Sequence, residues 1–224
     1  MKNFIFPIII ALVLIGSLIF FNSNSNQTQS KETTGQKISN DQPIDIPTLG
    51  NNLSSITLTE YSDFQCPACA AWNQVVGEIV REYGSKIKFQ YRHFPLNIHK
   101  NAISAAYAAE AAGLQDKFWL MANILFTRQS EWAEKPQPLT MYHKYAQELG
   151  LDLEQFNQDY QSQKVKTKVE NDLKSAEKLN LASTPSFFIN NQYLEIFPKS
   201  TNPNENINPV EELRKNIEQA IDAS

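Results

Sequence analysis

The sequence predicts an α/β domain with a block of helices inserted between its strands and a membrane-spanning helix in front of it. Three observations support this fold class. A strand, a helix and a strand follow one another over residues 55–91, apolar residues at helical spacing dominate residues 102–176, and residues 4–21 form an uncharged apolar run. The composition is 42% apolar and 20% charged, with a net charge of −4. It fits a soluble domain joined to one hydrophobic segment.

The N-terminal apolar run has eighteen residues and follows Lys2, which predicts a membrane anchor in residues 1–21. The run is longer than the apolar region of a secretory signal, so we favour an uncleaved anchor over a removed signal peptide. The positive-inside rule then leaves the N-terminus in the cytoplasm and the rest of the chain outside it. Residues 22–50 are polar and poor in large apolar side chains, which predicts a flexible linker.

The first regular elements follow the linker. Ile56, Leu58 and Tyr61 lie in a β-branched run that predicts a buried strand. Apolar side chains then recur at three- and four-residue steps from Cys69 to Tyr83, which predicts a helix that begins at the cysteine pair. Gly84 is expected to close this helix in a left-handed conformation. Residues 86–91 are a second predicted strand.

Helical patterns occupy the middle of the chain, and strand character returns after them. We expect the helical insertion in residues 98–180 and the α/β domain in residues 51–97 and 181–224. Asp152 and Gln155 form a predicted capping box within the insertion. Residues 186–189 and 193–197 are predicted to pair as a hairpin across Asn190 and Asn191, and Asn208 is the predicted N-cap of the last helix.

The two cysteines, Cys66 and Cys69, are the only ones in the chain and lie three residues apart. A bridge between them closes too short a loop to add much stability, so a structural disulfide is a poor explanation. At a helix start, unsatisfied backbone N–H groups favour an anion, which predicts a lowered pKa for Cys66 and makes its sulfur the reactive one. Cys69, one turn later, is placed to displace whatever becomes attached to Cys66.

Three neighbouring residues are expected to tune this pair. Pro67 suits the first helical turn because it lacks an N–H, and Ala68 adds neither charge nor donor. Glu60 lies on the predicted strand six residues before Cys66. If Glu60 is buried, its pKa is raised and it can exchange a proton with Cys69, whereas a glutamate at the strand edge would only reach water. The position of Glu60 in the sequence favours neither of these two interpretations.

The string from Glu60 to Cys69, together with Phe94-Pro95-Leu96, Phe118-Trp119 and Thr184-Pro185-Ser186-Phe187, resembles the DsbA-like branch of the thioredoxin superfamily over residues 50–222. The resemblance implies a thioredoxin fold with a helical insertion. It also implies that Pro185 is a cis-proline facing the cysteines, that Thr184 pairs its backbone with an extended substrate, and that Glu60 is buried near Cys69. Ala68 replaces the histidine of strongly oxidising members, and residues 199–208 form a longer loop than the family pattern leads us to expect.

The expected activity is oxidation of thiols in exported proteins or peptides by the Cys66–Cys69 disulfide, with a quinone-linked membrane oxidase as recycling partner. The same atoms would serve a reductase or isomerase that is kept reduced by a membrane electron donor. No cofactor or metal is expected. The remaining alternatives are a zinc module that joins the cysteines to His93, His99 or His143, and a non-catalytic chaperone. Nucleic acid is not an expected partner because the chain has no basic cluster.

Overall fold

A computed structural model describes residues 45–197 and 208–224. In these residues five strands form one sheet and eight helices pack around it, which confirms the predicted α/β class. In chain order the elements are β1 (Thr48–Gly50), β2 (Thr57–Ser62), α1 (Pro67–Tyr83), β3 (Lys88–His93), α2 (Ala102–Gly113), α3 (Phe118–Thr127), α4 (Gln129–Trp132), α5 (Leu139–Glu148), α6 (Leu153–Gln161), α7 (Gln163–Lys178), β4 (Ser186–Ile189), β5 (Gln192–Leu194) and α8 (Pro209–Asp222).

The sheet has the strand order β1-β3-β2-β4-β5. Strands β2 and β3 are parallel and joined by α1, while the other three pairs are antiparallel. Strand β2 lies at the centre because its side chains are buried on both faces of the sheet. Leu58 packs beneath α1 and α8, and Tyr61 packs on the opposite face with Phe188 and Ala176. The centre of the sheet therefore carries the residues that lead directly to the cysteines.

The hairpin and two helix caps form as their local signals predict. Asn190 and Asn191 adopt φ angles of 47° and 68°, the left-handed pair that a two-residue hairpin turn requires. Asp152 accepts a hydrogen bond from the Gln155 N–H, and Asn208 accepts one from the Val210 N–H. Strand β5 ends at Leu194, which is shorter than the predicted 193–197.

The linker prediction ends too late, because Thr48–Gly50 is strand β1 at the edge of the sheet. The prediction for Gly84 is also wrong, since its φ is −60° and the helix ends in right-handed geometry. A glycine is required instead at Gly50: at its φ of +81°, a Cβ would lie 2.6 Å from the Ile87 carbonyl oxygen and 2.9 Å from that of Gly84. The edge strand and the end of α1 thus meet backbone to backbone.

A buried ionic cluster joins the sheet to the helices that follow β3. The Asp172 carboxylate on α7 accepts hydrogen bonds from the Arg92 guanidinium at 2.8 Å and from the His93 backbone N–H at 3.1 Å. Lys168 forms an ion pair with Asp172 and lies 3.5 Å from the Glu110 carboxylate on α2. The Lys168, Asp172 and Glu110 charges are buried and compensate one another, while Arg92 remains partly exposed, and the cluster fixes α7 and α2 against β3.

Within the described part of the chain, no helix combines the length and the apolar character needed to cross a bilayer. The predicted anchor, residues 1–21, and the predicted linker as far as residue 44 lie outside the described residues.

Candidate active site

The cysteine pair lies at the N-terminus of α1, as the sequence predicts. Cys66 is the N-cap, in extended geometry with φ −72° and ψ 122°, and Pro67 is the first helical residue. Cys69 is fully buried, whereas Cys66 retains 7% of its accessible surface. Pro67 and Ala68 are exposed. Cys66 is therefore the cysteine nearer the surface, beside the exposed Pro67 and Ala68, and Cys69 faces the interior.

The two thiols have pKa values shifted in opposite directions. A hydrogen bond from Cys69, another from Thr184, and the backbone N–H groups of Cys69 and Ala68 together lower the pKa of Cys66 from 9.0 to about 5, although burial opposes the shift. Burial, the hydrogen bond to Cys66 and the nearby Glu60 charge raise the pKa of Cys69 well above 9.0. Near neutral pH the pair is therefore a thiolate beside a buried thiol.

Thr184 and Pro185 lie against the accessible sulfur. The Thr184–Pro185 peptide bond is cis, and the Cys66 sulfur lies 3.6 Å from the Thr184 carbonyl oxygen, to which its protonated form donates a hydrogen bond. The Thr184 hydroxyl is buried, has no nitrogen or oxygen partner among residues 45–197 and 208–224, and contributes to the low pKa of Cys66. The structure thus brings together residues that are more than a hundred positions apart in the sequence.

Glu60 is buried, with 4% of its surface accessible, on the face of β2 that α1 covers. Burial raises the pKa of its carboxyl group from 4.5 to about 7, and the neighbouring Ser62 hydroxyl opposes this only in part. The Glu60 charge in turn contributes to the raised pKa of Cys69. Of the two readings that the sequence left open, the structure places Glu60 in the interior rather than at a wet strand edge.

Sequence reasoning missed the side chains that hold the loop before the cysteines. The Gln129 amide on α4 donates to the carbonyl oxygens of Phe64 and Cys66, at 2.8 and 3.1 Å. The Gln65 side chain donates to the Ala133 carbonyl oxygen and accepts from the Asn101 N–H. These partners lie 36 to 68 positions from the loop residues they hold, and no local pattern marks them.

Asp63 provides a second restraint on the same loop. Its carboxylate accepts hydrogen bonds from the backbone N–H groups of Gln65 and Leu96, at 2.7 and 2.9 Å, and lies 2.7 Å from the His99 ring nitrogen. Being 2% exposed, this carboxylate needs all of these partners. Asp63 is adjacent to the cysteine motif, so its proximity was visible in the sequence, but its partners were not.

The three histidines considered as zinc ligands have other partners. His93 is hydrogen-bonded to Glu110, His99 to Asp63 and His143 to Asn157. In residues 45–197 and 208–224 no group of three or more His, Cys, Asp and Glu side chains is arranged to hold a metal ion. The geometry of the described chain therefore gives the zinc hypothesis no support.

A thioredoxin family model matches residues 44–219. Among solved structures, the fold is similar to a thioredoxin-like oxidoreductase from Silicibacter pomeroyi, with a TM-score of 0.65 and 24% identity over 80% of this chain and 94% of that one. BdbD from Bacillus subtilis, in its oxidised form, gives 0.65 and 21% over 79% and 93%. The α-DsbA1 protein of Wolbachia pipientis gives 0.65 and 23% over 81% and 94%. At these identities the likeness concerns the fold alone.

Curated sequence relatives carry a different name. Na(+)/H(+) antiporter NhaA 1 of Mycolicibacterium gilvum is 41% identical over 140 residues, which are 60% of this chain and 22% of that protein. Na(+)/H(+) antiporter NhaA of Herminiimonas arsenicoxydans is 34% identical over 187 residues, or 81% of this chain and 28% of that protein. The match thus spans less than a third of each antiporter, and most of those proteins lies outside it.

Proposed function

The chain belongs to the thioredoxin family, and on that premise we propose that it is a thiol:disulfide oxidoreductase that oxidises exported proteins through Cys66 and Cys69. The observation that carries the proposal is the opposite perturbation of two adjacent thiols at one helix start. Thiol exchange needs a reactive thiolate at working pH and a second sulfur held in reserve. A pKa of about 5 for the accessible Cys66 and a raised pKa for the buried Cys69 meet both requirements.

In the oxidising direction a client thiolate attacks the Cys66 sulfur of the Cys66–Cys69 disulfide. The bond between the two enzyme sulfurs breaks, and Cys69 leaves with the electron pair and takes up a proton, because burial disfavours its thiolate. A second client thiolate then attacks the client sulfur in the mixed disulfide and releases Cys66 as a stabilised thiolate. The client loses two electrons and gains a disulfide, and the enzyme is left as the dithiol.

The surrounding residues have defined roles in this proposal. Glu60 supplies the proton to Cys69, since a carboxyl group with a pKa of about 7 still holds a proton near neutral pH. The backbone of Thr184 pairs with an extended client beside Cys66, with Pro185 forming the wall of that subsite. Pro67 and Ala68 present only their backbone and apolar surface to the client.

The oxidising direction is favoured by the low pKa of Cys66. A factor that stabilises the Cys66 thiolate stabilises the dithiol form, and a stable dithiol makes the disulfide a stronger oxidant. The oxidised form would be restored by a quinone-linked membrane oxidase. The alternative is a reductase or isomerase that uses the same atoms and is kept reduced by a membrane electron donor.

The place of action follows from the N-terminal sequence. If residues 1–21 anchor the chain with Lys2 in the cytoplasm, the cysteines face the periplasm or the cell exterior, where exported clients pass. A membrane-impermeant thiol reagent applied to intact cells tests this. It should label Cys66 after mild reduction, and labelling only after lysis would contradict an extracytoplasmic location.

The activity is tested with the purified full chain in a glutathione redox buffer. Wild-type protein should convert between dithiol and disulfide, Cys66→Ser should not react, and Cys69→Ser should accumulate mixed disulfides on Cys66. The last variant, expressed in cells, would also capture the clients and the recycling partner. Failure of the wild-type pair to exchange with glutathione would overturn the proposed activity.

The direction is tested by trapping free thiols in intact cells with an alkylating reagent. An oxidase should be found mainly as the Cys66–Cys69 disulfide, because its partner keeps it oxidised. A resting dithiol would instead favour the reductase or isomerase.

A further inference from the structure

Four polar side chains meet on the buried face of the sheet beneath the start of α1. Glu60 and Ser62 alternate along β2, so they point to the same face. Glu60 is directly opposite Tyr91 on the parallel strand β3, and Cys69 faces them from α1. Their exposed fractions are 4% for Glu60, 1% for Ser62, 2% for Tyr91 and 0% for Cys69. This is an uncommon concentration of polar groups in a protein interior.

Two hydroxyls in this cluster lack conventional partners. Neither the Ser62 Oγ nor the Tyr91 hydroxyl makes a hydrogen bond of normal geometry with any residue in the described ranges. An unpaired buried hydroxyl destabilises the folded state, because it has lost its hydrogen bonds to water without replacing them. Such groups in a folded protein call for an explanation, and a role in proton movement is one.

Ser62 lies two residues after Glu60 on the same buried face of β2. Its hydroxyl lies near enough to Glu60, Cys69 and Tyr91 to lower the pKa of all three. A hydroxyl can accept a proton on one lone pair while it donates its own to another atom. Ser62 can thus donate a hydrogen bond or a proton to whichever neighbour becomes negatively charged.

We propose that the Ser62 hydroxyl relays the proton between Glu60 and Cys69 during disulfide exchange. The inference rests on the proposed function and adds a residue to it. When the Cys66–Cys69 bond breaks, Ser62 gives its proton to the Cys69 thiolate and receives one from the Glu60 carboxyl group. The net change is one proton from Glu60 to Cys69, and Glu60 recovers its proton from solvent. Ser62 ends as it began, and because it exchanges a proton directly with the reacting Cys69 sulfur, it is a catalytic residue in this proposal.

Other ionisable groups surround the relay. Tyr91 and His93 approach from β3, Cys66 and Cys69 from α1, and Asp63 lies just after β2. Burial raises the pKa of Tyr91 well above 10.0, so it remains a neutral hydroxyl. His93 is hydrogen-bonded to Glu110 and Asp63 to His99, so these side chains have partners of their own.

The relay predicts that Glu60 and Ser62 act as one unit. The oxidised full chain is mixed with dithiothreitol, and the rate of Cys69 release is followed by stopped-flow tryptophan fluorescence from pH 5 to 9. We expect Glu60→Gln and Ser62→Ala each to slow this step about 100-fold at pH 6, the usual scale of general acid catalysis. The double variant should be no slower than either single variant. Ser62→Thr, which keeps a hydroxyl, should recover most of the rate.

The pH profile separates the relay from a structural effect. After correction for the thiolate fraction of dithiothreitol, the wild-type rate should fall as Glu60 loses its proton, and the Ser62→Ala rate should be flat over that range. Ser175→Ala is the matched control, because it removes a hydroxyl that is bonded to Tyr61 on the other face of the sheet. It should leave rate and profile unchanged.

Two outcomes would overturn the relay while leaving the proposed function intact: a Ser62→Ala rate and profile equal to wild type, or additive losses in the double variant. A loss of pH dependence in Tyr91→Phe in place of Ser62→Ala would equally overturn it and assign the proton to the tyrosine. The proposed function fails separately, by the absence of glutathione exchange in the wild-type chain.

Discussion

Replacing Thr184 with valine should make the Cys66–Cys69 pair a weaker oxidant. Valine keeps the shape of the side chain and removes the hydroxyl, which is buried beside Cys66 and lowers the pKa of its thiol. A hydrogen bond to a charged group contributes about 1.5 kcal/mol, or about one pKa unit. The pKa of Cys66 should therefore rise from about 5 toward about 6.

The redox potential of the Cys66–Cys69 pair should change together with the pKa of Cys66. At pH 7 Cys66 is a thiolate in both proteins, so the dithiol form of the variant loses the full contribution of about 1.4 kcal/mol, which corresponds to about 30 mV. The potential should become more negative by that amount. The pKa is measured by thiolate absorbance near 240 nm during a pH titration, and the potential by equilibration with glutathione.

Thr59→Val provides the matched control for this experiment. Thr59 lies on β2, next to Glu60 and therefore on the opposite face from it, and its loss should change neither quantity. A folded Thr184→Val protein with an unaltered Cys66 pKa would show that the hydroxyl does not stabilise the thiolate. The low pKa of Cys66 would then be attributed to Cys69 and the helix N–H groups alone.

Three further substitutions test the fold around the site, each by denaturant unfolding of the reduced protein. The folded-state pKa of Glu60 is raised from 4.5 to about 7, so the free energy of unfolding of the wild type should fall by up to about 3 kcal/mol as pH rises through this window. Glu60→Gln should abolish that fall. An unchanged pH dependence in the variant would contradict a buried carboxyl group with a raised pKa. Gly50→Ala should cost about 2 kcal/mol, since its φ is +81° and the new Cβ would meet the Ile87 carbonyl oxygen; wild-type stability would exclude the close approach. Asp172→Asn should cost about 3 kcal/mol because Lys168 loses a buried partner, and a cost below 1 kcal/mol would mean that the ion pair is exchanged for water without penalty.

The sequence predictions that the structure confirms rest on local sequence patterns. The helix start at Cys66, the cap at Asp152 and the turn at Asn190 and Asn191 each depend on residues within a few positions of one another. Such patterns act through backbone hydrogen bonds and φ preferences, so the sequence contains them in readable form.

The parts that sequence reasoning missed depend on contacts between distant segments. Strand β1 has three residues and too few apolar side chains to show a period, and it forms because β3 offers it a paired edge. Gly84 was assigned the common left-handed cap, but its φ is −60°, and the position that requires a glycine is Gly50, where a Cβ would collide with the carbonyl oxygens of Ile87 and Gly84. The burial of Glu60 became visible only when α1 was placed over its face of the sheet.

The hydrogen bonds from the Gln129 amide to the loop before the cysteines have a consequence for protein engineering. The conformation of the cysteine motif is fixed jointly by the strand it follows and by an amide from α4, more than sixty positions away. Transplanting the four-residue motif into a smaller thioredoxin scaffold would carry the sulfurs but not this support. A working graft would need the α4 segment as well, so the smallest portable form of this chemistry includes part of the helical insertion.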